Sequence, residues 1–359
     1  MNPLKFLLLD RYLVREVLRP FALSCGLFLL LFTGYSSARV LADAVMGLLP
    51  MDVVLKLIGF KVIIALEVLL PIAWYLAVVM GLGRLHTDSE MVALLACGYG
   101  EGRAAWTIFR ASGLLAVLVA VLSLELRPWA YRHEFAIENL AKAKFDVSKI
   151  EARKFHAGED YVIFAEAVDH PNRRLYGVFF SQEFSDHKTQ VIRASSMMQI
   201  DSQGQTGLPL VFEDGYAYEL DLAGEQDLTL KFQRLELILD GAVEASGLRS
   251  KAAPSLRLWR SGDLKDVAEL EWRLSRPASA LLLALIAVPL SRTAPRTGRY
   301  GKSVLAVIVF AVYYNLSNLA RTWVKDGVVG AVPGVFWPEM LLLGVTSVLY
   351  LEGSWLKRR

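Results

Sequence analysis

Apolar residues gather in six runs, each long enough to cross a bilayer, and the runs fall into two groups of three. The first group covers residues 21–41, 54–83 and 104–124; the second covers 277–291, extended backwards through ELEWRLSR, then 303–323 and 334–352. A hydrocarbon core of roughly 30 Å is spanned by about 20 mostly apolar helical residues, so six transmembrane helices are predicted. Pro277 and Pro289 fall at the start and near the far end of the fourth. Between the groups the period changes. YVIFAEAV (161–168), LYGVFFSQEF (175–184), TQVIRASSMMQI (189–200), LPLVFEDGYAYEL (208–220) and LTLKFQRLELIL (228–239) are rich in β-branched and aromatic residues, and the clusters DHPN, DSQGQTG and DLAGEQ separate them. An antiparallel sandwich, jelly roll or open barrel is expected. In the last strand Leu228, Leu230 and Phe232 alternate with Thr229 and Lys231, so one face is apolar. A closed core and an open sheet that shelters acyl chains both fit that pattern. RPWAYRHEFAIENLAKAKFDVSKIEARKF (127–155) and SGDLKDVAELEWRLSRPA (261–278) flank the strands as helices, the second with acids early and bases late, as the helix dipole favours.

The chain has 359 residues, 54% hydrophobic and 21% charged, with mean hydropathy +0.39: too apolar for a soluble domain and too charged to lie in lipid throughout. Its cations sort by side. Lys5, Arg11, Arg15 and Arg19 precede the first span; Arg84, Arg103 and Arg110 flank the second link; Arg292, Arg296, Arg299 and Lys302 follow the fourth span; Lys357, Arg358 and Arg359 end the chain. The link ADAVMGLLPMD has no Lys or Arg, and the link after span five offers mainly Lys325. Both termini are therefore expected in the cytoplasm and the β region outside, which in a bacterium is the periplasm. MNPLKFLLLDRYLVREVLRP reads as a basic, amphipathic interfacial helix rather than a cleavable signal. Cys25 lies inside span one and Cys97 in a cytoplasmic link, so neither a disulfide nor a thiolate metal site is expected. The formal charge of +3 collects at membrane edges, and no nucleic-acid partner is expected.

Catalytic motifs are incomplete. Gly301, Lys302 and Ser303 resemble the tail of a phosphate-binding loop, but Arg296 stands where its first glycine belongs. His133 and Glu134 open an HExxH pattern that Ile137 breaks, and no GxSxG elbow occurs. No enzymatic activity, metal or cofactor is expected in this chain.

HTDSEMVALLACGYG (86–100) is too short to span, yet it carries helix start and stop signals. Thr87 and Glu90 fit an S/T-x-x-E capping box, Asp88 and Glu90 place negative charge in the first turn, and Gly98 suits a left-handed position past the end. A helix over 88–97 is predicted, with Met91, Leu94, Leu95 and Val92 on its apolar side. A helix of about ten residues is marginal alone. It docks either on the lipid interface and neighbouring spans or in a groove of a partner protein.

SEMVALLACGYG after span two and ELEWRLSRPASALLLALIAVPLSRTAPRTGRYGK at span four together resemble the LptF/LptG permease family of the lipopolysaccharide exporter, and the PLS…PRTGR segment is more similar to its LptF branch. The resemblance covers nearly the whole chain. It implies an α-helical membrane protein with six transmembrane helices plus an inserted periplasmic all-β, jellyroll-like domain. The parts would be 1–126, with the interfacial helix, spans one to three and a coupling helix at 88–97; 127–260, the periplasmic domain with its helical linker; and 261–359, spans four to six. The chain would be a permease subunit of an ABC transporter in the bacterial inner membrane. A paralogous six-span permease (LptG-like) would pair with it around a cavity, and a cytoplasmic ATPase dimer (LptB-like), carrying ATP and Mg, would take one coupling helix from each. Lipopolysaccharide would leave the membrane lipid and pass through the β domain to a single-span bridge protein (LptC-like) and a periplasmic bridge (LptA-like). Asp88, Glu90, Met91, Leu94 and Leu95 become ATPase-coupling residues, with Glu90 the acidic contact.

Lipid A carries phosphates above acyl chains, so cations are expected near the outer surface above an apolar wall. Arg39 at the outer end of span one, Arg321 and Lys325 at that of span five, and Lys56 and Lys61 in span two are the candidates; Arg39 and Arg321 match the family's basic cavity positions best. Snorkelling to the interface is the competing reading. Phe28, Leu31, Phe32 and Tyr35 of span one are candidates for the cavity wall, against plain packing on a neighbour. Glu67, deeper in span two, is expected to pair with a cation on an adjacent helix. Two alternatives differ at named features: an ABC subunit that drives periplasmic work without moving lipid places its large domain after span one, and a membrane scaffold needs no coupling helix.

Overall fold

The computed structural model describes residues 3–45, 51–143, 152–157, 161–169, 171–172, 174–185, 188–199, 208–221, 228–239, 250–292, 301–330 and 332–355. The PRTGR motif at 295–299, the basic end at 357–359, the 46–50 link and the turns at 201–207 and 222–226 lie outside them. The chain divides into two compact units: a helical one (Met1–Val40, Leu55–Glu134 and Ser250–Arg359) and one that carries the sheet (Leu41–Val54 and Phe135–Arg249).

Six helices among the described residues are long and apolar enough to cross a membrane: Leu8–Ala42, Val53–Thr87, Glu101–Ile137, Leu264–Leu290, Ser303–Lys325 and Gly334–Leu351. Two of them, the first and the third, run well beyond the apolar runs that predicted them. α1 (Pro3–Val45) continues without a break from the basic N-terminal stretch through Pro20, so no separate interfacial helix forms. Leu13 and Val17, fully buried, pack that stretch onto the bundle. α2 (Met51–Thr87) ends just before α3 (Glu90–Ala96), and α4 (Glu101–Val121) passes through a π turn (Leu122–Leu126) into α5 (Arg127–Ala143). After the sheet come the short α6 (Ser255–Arg260), then α7 (Leu264–Leu290), α8 (Gly301–Lys325) and α9 (Trp337–Trp355).

α7 holds both Pro277 and Pro289 inside its length. A proline leaves the carbonyl four residues earlier without its helical donor, and an orphan carbonyl in hydrocarbon is expensive. Both carbonyls find a hydroxyl on another helical segment. Ser123 Oγ donates to the Arg273 carbonyl at 3.1 Å, and the Tyr350 hydroxyl donates to the Leu285 carbonyl at 3.2 Å. The two prolines thereby become points of attachment between spans.

Among the described residues, the second unit carries one antiparallel sheet of β1 (Phe155–Ala157), β2 (Tyr161–Asp169), β3 (Arg174–Ser185), β4 (Lys188–Gln199), β5 (Leu208–Asp221) and β6 (Leu228–Leu239), paired in chain order. The jellyroll-like domain is thus a meander: sequence neighbours pair throughout the described strands, where a jelly roll has crossing connections. β1 is a short strand that the five predicted strand runs do not include; it begins at Phe155, where the 127–155 stretch is expected to lead into the sheet.

The buried parity of the sheet switches at one transverse row. Ala165, Val178, Ala194, Ala217 and Phe232 are buried on one side of that row, and Leu175, Met197, Leu210 and Phe212 on the other. Within a strand the two sets are an odd number of residues apart, so strict alternation would turn one of them outward. The row runs through Glu166, Gly177, Ser195, Asp214 and Gln233, where each pairing ladder skips a rung. Gly177 and Asp214 adopt φ of +60° and +49° there. Because neighbouring strands take up the extra residue together, register is kept while the side chains are re-aimed to hold one core.

Candidate functional site

The helix in the 86–100 segment is shorter than its sequence signals predict. The capping box does not form: Thr87 is still inside α2, and its hydroxyl donates back to the Gly83 carbonyl at 2.6 Å. Back-bonding of this kind competes with capping for the same hydroxyl. Ser89, at φ +59°, is the N-cap instead and offers no side-chain bond, while Asp88 is exposed in the turn before it. The C-terminal signal holds. Gly98 takes φ +82°, its amide donates to the Leu95 carbonyl and the Tyr99 amide to the Leu94 carbonyl, both at 2.9 Å, which is the doubly bonded Schellman end. The apolar residues divide between two faces: Met91 is buried and Leu94 half-buried in the bundle core, whereas Val92 and Leu95 face outward.

Glu90 points at α1. The Tyr12 hydroxyl donates to Glu90 Oε2 at 2.5 Å, Arg84 Nη2 lies 3.6 Å from Oε1, and Arg84 Nε is paired with Glu16 at 2.9 Å. Beside this, Asp10 accepts from the Tyr99 hydroxyl at 2.7 Å and from Thr107 at 2.9 Å, with Arg103 at 3.5 Å. Burial pushes the Tyr99 phenol up to about 12, so it stays protonated at physiological pH. The basic N-terminal stretch therefore grips the 86–100 segment through Tyr12 and Asp10. Sequence reading missed Asp10, Tyr12, Glu16, Arg84 and Tyr99 in this role, because pairs such as Tyr12 and Glu90, 78 residues apart, carry no local signature.

At the other ends of the spans, five charged side chains from four helices form a buried lattice. Arg127 pairs with Glu67 at 2.9 Å and with Glu269 at 2.8 Å; Glu269 also accepts from Arg273 at 3.0 Å and from Arg321. Arg273 donates further to the carbonyls of Ser250, Lys251 and Ala253, and Ser123 to Glu67. The side chains of Glu67, Arg127, Glu269 and Arg273 are at most 4% exposed, while that of Arg321 is 23% exposed. Three arginines against two glutamates leave one surplus positive charge, and Arg321 is the member through which it reaches the surface. Two guanidiniums lie over the Trp272 ring, Arg276 at 3.8 Å and Arg321 at 4.9 Å from its centroid. Glu67 has the cationic partner expected of it; Arg127, Arg273 and Glu269 were not singled out by sequence, although their deep apolar context is itself a signal.

The remaining candidates separate. Arg39 and Lys56 are exposed and unpaired among the described residues, and Lys325 is exposed near the end of α8. Lys61 is tied to Glu134 at 2.6 Å. Phe28 packs on the bundle core and Phe32 is half-buried, but Leu31 and Tyr35 are 59% and 67% exposed. With Leu23, Leu27 and Leu30 also exposed, α1 presents a long apolar face that the bundle does not cover.

The model of the lipopolysaccharide export system permease LptF/LptG family matches residues 11–352. The lipopolysaccharide export system permease proteins LptF of Escherichia coli (strain K12) and of Shigella flexneri are each 27% identical over 360 residues, covering 96% of this chain and 95% of theirs. The match takes in the six apolar helices, the inserted antiparallel sheet and the segment at α3. The chain belongs to the LptF/LptG family of lipopolysaccharide export permeases.

Proposed function

We propose that this chain is an LptF-like subunit of an inner-membrane ABC exporter, which draws lipopolysaccharide from the outer leaflet and passes it over the β domain to bridge proteins of the LptC-like and LptA-like kinds. ATP hydrolysis belongs to a separate LptB-like dimer with its ATP and Mg, and a paralogous LptG-like permease completes the cavity. Both termini are cytoplasmic and the sheet periplasmic, as the cations on the link side of α2 and α4 favour. The observation that carries this reading is α3: a rigidly ended helix with Met91 and Leu94 anchored inward and Val92 and Leu95 presented outward. Motion imposed on that outward face passes to α1 through the Tyr12 and Arg84 contacts of Glu90. Arg39, Lys56, Lys325 and the exposed edge of Arg321 supply cations for lipid A phosphates, with Leu31, Phe32 and Tyr35 facing acyl chains.

Mild-detergent affinity purification with mass spectrometry tests the reading. Co-recovery of a Walker-motif ATPase, a second six-span permease and lipopolysaccharide is expected; the chain alone, under conditions that hold a known ABC complex together, would overturn it. Glu90→Lys places a cation beside Arg84, and at least about tenfold less ATPase should co-purify, equivalent to about 1.4 kcal/mol. Wild-type recovery would remove Glu90 from the coupling role. Arg39→Glu is the clean substrate test, because Arg39 has no ion-pair partner among the described residues whereas Arg321 is committed to Glu269. Crosslinking to lipopolysaccharide should fall severalfold, and full retention would count against Arg39.

A further inference from the structure

α6 is a single amphipathic turn and a half with a divided surface. Successive helical residues rotate by about 100°, so Leu256 and Trp259 share one face, Arg257 and Arg260 form the adjoining stripe, and Leu258 points the opposite way. Leu258 is buried against the bundle, whereas Leu256 and Trp259 are 65% and 72% exposed. Both arginines are exposed and unpaired among the described residues, and an open hollow of about 500 Å³ lies along Pro254, Leu256, Arg257, Arg260 and Ser261.

The depth of α6 is fixed from two sides. Ser255 Oγ donates to the Leu124 carbonyl at 2.8 Å, and Leu124 lies within span three at its π turn. Arg273, within span four, holds the chain just ahead of α6 through the carbonyls of Ser250, Lys251 and Ala253 at 2.9 to 3.0 Å. Three residues, Ser261–Asp263, then lead directly into α7. The helix therefore begins at the level of the spans and cannot stand far above them. Partly exposed Trp129 and Trp323 occur near the corresponding ends of spans three and five, as expected of an aromatic belt at a membrane boundary.

We infer that α6 is an interfacial lipid-binding helix: Leu256 and Trp259 insert at the headgroup–acyl boundary of the leaflet on the β-domain side, and Arg257 and Arg260 bind phosphates of anionic phospholipid. An exposed Trp and Leu beside two guanidiniums with no carboxylate partner among the described residues is the complement of that boundary. The role is separate from transport and stands whichever way the coupling segment works.

Site-directed spin labelling of the full chain in nanodiscs tests it. Nitroxides go on Leu256→Cys and Trp259→Cys, with Cys25→Ser and Cys97→Ser to remove native thiols and Asn172→Cys in an exposed turn as the aqueous reference. In discs containing phosphatidylglycerol, the ratio of oxygen to nickel-reagent accessibility at 256 and 259 should exceed that at 172 by at least about threefold. Arg257→Glu with Arg260→Glu should lower that ratio about twofold in these discs and leave it unchanged in phosphatidylcholine. Ratios equal to the reference would place α6 in water and overturn the inference. Shielding from both reagents would mean a protein covers the helix, and a rise that appears only when lipopolysaccharide is added would assign the site to that lipid; either result also overturns it.

Discussion

Glu269→Gln should be the most damaging single change in the helical unit, lowering stability by about 3–5 kcal/mol. One carboxylate there receives Arg127, Arg273 and Arg321. Without its charge, the three guanidiniums are left with Glu67 among the described carboxylates of the lattice, and Glu67 pairs directly with Arg127. Buried cations left unpaired cost far more than the pair contributed, because desolvation has already been incurred. The measurement is the midpoint of thermal unfolding in detergent, with the Arg321→Met variant alongside. Removing Arg321 discards the surplus cation, so the double variant should recover part of the loss, and the cycle gives the coupling directly. A midpoint unmoved by Glu269→Gln would show that the lattice carries no structural load.

Gly215→Val is the counterpart in the sheet. A Cβ at Gly215 would overlap the Arg193 carbonyl oxygen and lie 2.8 Å from Phe232 Cζ and 2.9 Å from Ala194 Cα. Two of these three obstacles are backbone, and the strand has no freedom to slide because Asp214 beside it is fixed at φ +49°. The cost should exceed about 3 kcal/mol, beyond ordinary overpacking. Limited proteolysis should then cut within the β2–β6 region while the spans stay protected, and the ATPase should still co-purify while lipopolysaccharide delivery is lost. A wild-type digestion pattern would contradict the packing described at this position.

Periodicity made the spans and five of the six strands legible, since length in apolar helix and alternation in strand are local properties. What local pattern could not supply is choice among competitors. Thr87 has the sequence of a cap, yet the Gly83 carbonyl one turn back takes its hydroxyl. Arg321 reads equally well as a substrate cation or a structural one until Glu269, 52 residues away, is seen beside it. Leu228, Leu230 and Phe232 alternate as read, but Leu228 and Leu230 are exposed and Phe232 alone of the three joins the core, which Leu235 and Leu237 then meet in the other phase, because the extra residue is taken up in a row that only the assembled sheet reveals.

That transverse row changes how any scan of the sheet must be interpreted. Suppose an acyl chain travels along the inner face parallel to the strands. It meets odd positions of β5 beyond the row and even positions before it, since Ala217 and Gly215 give way to Phe212 and Leu210. A crosslinker walked through every second residue would trace the lipid up to Asp214 and then lose it, although the path continues unbroken on the same physical face. Sampling consecutive residues across 212–215 separates a path that ends from a ladder that has changed step.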